Sequence, residues 1–230
     1  MSTQKKLAAS MARVAAPKLL DLAPGVTSSV IHTALDHALK GIGPLKPAAA
    51  AAEEQLAEQH GDVEQAVGEV IENNVMLASA SGFLTNVGGL MTTVMLAPAN
   101  VAGLALVQAR MVAGIAHLRG YDLDDMRVHN AILVTMLGQD RVRSLVKKGR
   151  VPAPPMALAT APVYDAHLDE VAATELAAEM MSRVVGKRLA VSVGRRIPVV
   201  GGAVGASADG LSTWRIGRYA RRELRARPGI

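Results

Sequence analysis

Apolar residues recur at spacings of three and four along almost the whole chain, and alternating runs rich in Val, Ile, Thr and aromatic residues are nearly absent. That periodicity belongs to amphipathic helices rather than strands. The chain therefore reads as all-α: one compact bundle of eight to ten helices with a Gly-rich apolar central helical hairpin and a basic C-terminal helix. A first helix is expected from Thr3 to Leu22, stopping near Pro24-Gly25, and a second from a Thr27 or Ser28 cap to Gly41. Pro47 opens an Ala-rich helix to Gln59, and Gly61-Asp62 restarts a helix that carries Glu64, Glu69 and Glu72 on its wet side.

The pattern then loses its polar face. From Asn73 to Ala109 there are 37 residues without an Asp, Glu, Lys, Arg or His. About 20 apolar residues suffice to cross a bilayer, yet Asn74, Asn86, Asn100 and Gln108 make this stretch too polar for a simple anchor, and Gly88-Gly89 and Pro98 break it. Three environments fit it: burial against the rest of the chain, packing around a bound lipid, or shallow insertion in a membrane. Its second half is predicted as a helix from an Asn100 cap to Leu118, ended by Gly120. Asp122, Asp124 or Asp125 opens the next helix, to Leu137. A short basic helix covers Arg141 to Arg150, and the prolines at 152, 154, 155 and 162 predict a linking loop. A helix from Asp165 to Val193 follows, and Pro198 opens a Gly-rich segment leading into a terminal helix from Leu211 to Arg227.

Composition narrows the functional classes. Half of the 230 residues are apolar, chiefly Ala, Val, Leu and Met, with five aromatic residues in all, so a close-packed aliphatic core is available. The absence of cysteine removes disulfides and thiolate chemistry and suits a cytoplasmic setting. The formal charge of +5 is uneven: residues 183–230 hold eleven Lys and Arg against Asp209 and Glu223, a net of +9, which leaves −4 for the first 182 residues. A basic end of this kind attracts anionic lipid, nucleic acid or an acidic protein face. No helix-turn-helix, zinc finger or aromatic RNA platform accompanies it, and nucleic acid is not an expected partner.

The terminal helix is basic and amphipathic. Trp214, Arg218, Tyr219, Arg221, Arg222 and Arg225 are the candidate contacts with an anionic membrane, the rings at headgroup level and the guanidinium groups on phosphate. Met76, Phe83, Met91, Met95, Met111 and Ile115 are the candidate lining of an apolar ligand cavity, since Met adapts to irregular apolar shapes. Gly202, Ala206 and Gly210 stand four apart, as do Gly201 and Gly205, and predict a second helix packed very close. Asp209 sits among them and needs a partner, for which Arg215 or Arg195 is available. His117 is expected to face the core. The sequence has no phosphate-binding loop, no His-Glu-x-x-His pair and no Gly-x-Ser-x-Gly turn. No catalytic residue, metal ligand or cofactor is expected, although an enzyme assembled from Asp209, His117 and Asp122 is invisible at this level.

Four segments also carry a family likeness: Gly82-Phe83-Leu84-Thr85, Pro98-Ala99-Asn100-Val101-Ala102-Gly103, Arg110-Met111-Val112-Ala113-Gly114-Ile115-Ala116-His117-Leu118-Arg119-Gly120-Tyr121-Asp122, and Arg196-Ile197-Pro198-Val199-Val200-Gly201-Gly202. The chain thereby resembles the EcsC family of bacterial proteins over about residues 45 to 225. The likeness implies a helical domain from 46 to 230 and no settled biochemical activity; the two helices at 1–45 lie outside the pattern and read as an N-terminal helical arm. The family's name, taken from a gene beside an ABC transporter, suggests a transporter as a partner. The expectation is a non-enzymatic protein that binds phospholipid or another long apolar ligand and associates peripherally with anionic membranes from the cytoplasm. The alternative is an accessory protein of a membrane transporter that meets an acidic partner through its basic helix.

Overall fold

The computed structural model describes residues 27–87, 97–193 and 200–226. Among them the regular elements are nine α-helices, and no strand. In chain order these are α1 (Ser28–Lys40), α2 (Ala48–Glu58), α3 (Val63–Val87), α4 (Ala97–Leu118), α5 (Met126–Met136), α6 (Gln139–Lys147), α7 (Pro155–Ala159), α8 (Ala166–Val193) and α9 (Val200–Glu223). The all-helical reading of the periodicity is what the structure shows. The helix expected at Thr3 to Leu22 and the break at Gly88-Gly89 lie outside the described residues.

Local signals explain most of the ends. The Asp62 carboxylate accepts from the Gln65 backbone N–H at 3.0 Å and starts α3, and Asp125 does the same for α5 through Arg127 at 2.8 Å. Three boundaries differ from expectation. Helix α4 begins at Ala97 rather than at an Asn100 cap, because Pro98 falls in the first turn, where a missing N–H costs nothing. The proline-rich stretch contains α7 with Pro155 as its first residue, and Val151, Leu158 and Ala159 are buried in the common core. It is therefore part of the bundle rather than a free linker. The Gly-rich segment and the basic helix are one continuous α9, which ends at Glu223.

A single core joins the helices. Helix α5 is buried from Asn130 to Met136, and each fully buried Leu, Ile or Met there stabilises the fold by about 1.5–3 kcal/mol. Around it α4 touches α1, α2, α3 and α9, while α8 covers α1 and α5. The stretch expected as an arm contributes α1, whose Ile31, Leu35 and Ala38 lie in this same core. The Val101–Leu118 part of α4 has the length and mean hydropathy, 1.5, of a membrane span, but 61% of it is buried inside the bundle.

The seam that positions the site runs between α3 and α9, which lie antiparallel: Gly210 meets Ser79 and Val75, and Gly217 meets Ile71. The small residues allow this approach. A Cβ on Gly217 would stand 3.0 Å from Ile71 and from the Met111 sulfur, and one on Gly210 would stand 2.2 Å from the Ser79 hydroxyl. At the same seam the buried Gln108 amide on α4 donates to Thr213 at 3.1 Å and to Ser212 at 3.3 Å on α9. Three helices are thereby locked in one register.

Candidate functional site

Where α3 begins and α9 ends, the seam opens into a cleft of about 580 Å³. Two sets of residues with helical spacing form its walls. Glu64, Gly68, Ile71 and Glu72 come from α3, Trp214, Arg218, Arg221 and Arg222 come from the end of α9, and Arg225 from just beyond it, while Arg119 enters from the turn after α4. Gly120, with φ of +79°, ends α4 there and lets the chain turn away. Five arginines face two glutamates, so the cleft carries a net positive charge.

Its electrostatics are organised around Glu64. One carboxylate oxygen accepts from Arg119 at 2.5 Å, and the other accepts from Arg221 at 3.1 and 2.9 Å. The Arg119 hydrogen bond is the largest influence holding the Glu64 carboxyl below its usual range, with a further contribution from Arg221. The Arg119 side chain is only 10% exposed, and its Nε has no partner among the described residues. Arg222 donates to the neutral Gln139 side chain at 2.8 Å. The Arg218 guanidinium lies over the Trp214 ring, 5.0 Å from its centre. The end of α9 is pinned by the Tyr121 hydroxyl, which donates to the Arg225 carbonyl at 3.0 Å.

Trp214 and Leu211 remain exposed, at 42% and 48%. With Arg218 and Arg221 they form one stripe of three- and four-residue steps along α9, apolar at one end and cationic at the other. On α3, one turn beyond Glu72, Met76 is 69% exposed. An apolar ledge thus adjoins an arginine-walled cleft.

The structure sorts the sequence candidates unequally. Trp214, Arg218, Arg221, Arg222 and Arg225 come together at the cleft. Tyr219 does not: it is buried at 6% exposure, and burial pushes its phenol pKa upward. Five residues separate it from Trp214, about 140° around a helix, so the two rings cannot share an interface. Among the apolar candidates, Met111 and Ile115 are wholly buried, whereas Met76 points to solvent. Met111 fills the junction beside Gly217 and Ile71 instead of lining open space. Phe83 lies on α3 with its side chain outside the described ones, and Met91 and Met95 lie outside the described residues.

His117 does not face the core but pairs with Glu53 at 2.6 Å. The Asp122 carboxylate accepts from the Asp124 backbone N–H at 3.0 Å, and Asp209 is buried at 5% exposure, so each of these three has its own local setting. Three charged members of the cleft are not among the sequence candidates: Arg119, which appears there only inside a family segment, and Glu64 and Glu72, which the pattern puts on a wet helix side. The recurrence of Glu64, Gly68 and Glu72 at helical spacing was the available signal. A second, smaller cleft of about 160 Å³ lies between α2, α3 and α4, where burial lowers the Arg110 pKa against the opposing influence of Glu54. Comparison of the chain with family models, curated proteins and solved structures finds no match.

Proposed function

We propose that this protein is a non-enzymatic, peripheral membrane protein that docks the headgroup of an anionic phospholipid in the arginine cleft, from the cytoplasmic side. The observation that carries the reading is the meeting of five arginines with an exposed tryptophan at one opening. Guanidinium groups match phosphate oxygens in charge and fork geometry, and a Trp ring beside them suits the headgroup layer. In this mechanism Arg218, Arg222 and Arg225 draw the protein to the surface, Arg221 stands beside them paired with Glu64, and Arg119 lies deeper. Trp214, Leu211 and Met76 enter the interface as an apolar ledge. No bond is made or broken. We further propose EcsC-family membership, on the strength of the four sequence segments.

The test is vesicle flotation of the detergent-free protein. Binding to phosphatidylcholine vesicles containing phosphatidylglycerol, weakened by Arg222→Ala with Arg225→Ala and by Trp214→Ala, is the expected result. Equal recovery with and without the anionic lipid would sink the proposal. A second reading, recognition of an acidic helix on a partner such as a transporter subunit, is favoured by the heptad spacing of Leu211, Trp214, Arg218, Arg221 and Arg225. It predicts salt-sensitive binding to the partner with no response to lipid composition.

A further inference from the structure

The five cleft arginines are not equivalent. Arg119 and Arg221 already share a carboxylate, because Glu64 bridges them from opposite walls at 2.5 and 2.9 Å. Arg218, Arg222 and Arg225 have no ion-pair partner among the described residues. An anion arriving from solvent therefore meets three open cations beside a compensated pair, of which Arg221 is 45% exposed and Arg119 is buried. We infer that Glu64 is a built-in competitor for the anion, and that the cleft selects a dianionic phosphomonoester headgroup over a singly charged phosphodiester. This rests on reading the cleft as an anion site.

The selection follows from exchange at the inner pair. A singly charged diester that replaced Glu64 would trade one monoanion for another, with no electrostatic gain. A dianion brings a second charge into the same space and presents more oxygens to guanidinium forks. Release of Glu64 is easy, since its side chain is 53% exposed and an ion pair at that exposure is weak. The buried Arg119 stays in place, and the guanidinium N–H that Glu64 releases then donates to the incoming oxygen. Glutamate and arginine are the titratable types in the described lining, and neither changes charge near neutrality. The phosphomonoester itself gains its second charge with a pKa of about 6. Affinity therefore rises as pH climbs through that value.

The experiment compares wild type with Glu64→Gln on vesicles containing phosphatidic acid or phosphatidylglycerol at matched surface charge, with inorganic phosphate and glycerol phosphate as soluble arms. Wild type is expected to prefer phosphatidic acid about tenfold at neutral pH and to lose that preference below about pH 6. Glu64→Gln is expected to bind both lipids about tenfold tighter, because the same competitor is removed for each, with a near-normal melting temperature. Tight binding of glycerol phosphate without vesicles would support the dianion class and assign it to a soluble source. Equal affinity of wild type for the two lipids, unaltered by Glu64→Gln, would overturn the inference and leave the docking proposal standing. Failure to bind either vesicle would overturn the docking proposal itself.

Discussion

Glu175 and Glu64 each bridge two arginines, and their surroundings give them different jobs. Glu175, on α8, accepts from Arg141 at 2.6 Å and from Arg150 at 2.8 Å, and its side chain is 10% exposed. Glu64, on α3, accepts from Arg119 at 2.5 Å and Arg221 at 2.9 Å at 53% exposure. The ligation is nearly the same. Water competes poorly for Glu175, which ties α6 and the following turn to α8; removing it leaves Arg141 with the longer Glu179 contact at 4.0 Å and takes the Arg150 partner away. Water already solvates half of Glu64, and an anion can take its place. Exposure, rather than the number of partners, separates a structural tie from a displaceable one.

The largest effect is expected from Gly217→Val, which wedges α9 away from Ile71 and Met111. Overpacking there should destabilise by about 3 kcal/mol, and chemical denaturation would measure it. It attacks the seam carrying Glu64 while leaving Glu175 untouched. Glu175→Ala comes next, with an expected loss of about 2 kcal/mol, less than for a fully buried pair because both arginines are partly exposed. Vesicle binding by the folded fraction should not change. Glu64→Ala should cost under about 1 kcal/mol; a loss as large as that of Glu175→Ala would erase the contrast.

Acid sharpens the same comparison. Because the Glu64 pKa is lowered on folding, its stabilising contribution is complete above the usual value of 4.5 and is lost as pH falls through the lower folded value. The difference in melting temperature between wild type and Glu64→Gln should therefore be small at neutrality and vanish in strong acid. The smallest stability effect is expected for Arg222→Ala, which removes the exposed contact with Gln139. It should stay within about 0.5 kcal/mol, while vesicle binding falls several-fold.

The arginine row of the cleft was legible because α9 is regular: Arg218, Arg221 and Arg222 share a side at any helical pitch, and Arg225 follows just past the helix end. Tyr219 was misplaced because it counted as apolar surface near Trp214, and only its angular position shows that it turns inward. Glu64 and Arg119 could not be paired from sequence, since nothing local links the first turn of α3 to the turn after α4. The methionines misled for a related reason. Met76 lies in the uncharged stretch and Met111 two residues past its end, yet one is exposed and the other fills a three-helix junction.

Periodicity, caps and helix breakers act within a few residues, and they determined the helical class, the cores of most elements and the basic end of the chain. Which faces meet is a long-range matter. The close approach permitted by Gly210 and Gly217, the buried Gln108 bridge to Thr213 and the antiparallel register of α3 and α9 decided that Glu64 would stand between Arg119 and Arg221. The cleft exists because helices distant in sequence are forced together by core burial, leaving their charged ends to settle where the packing stops.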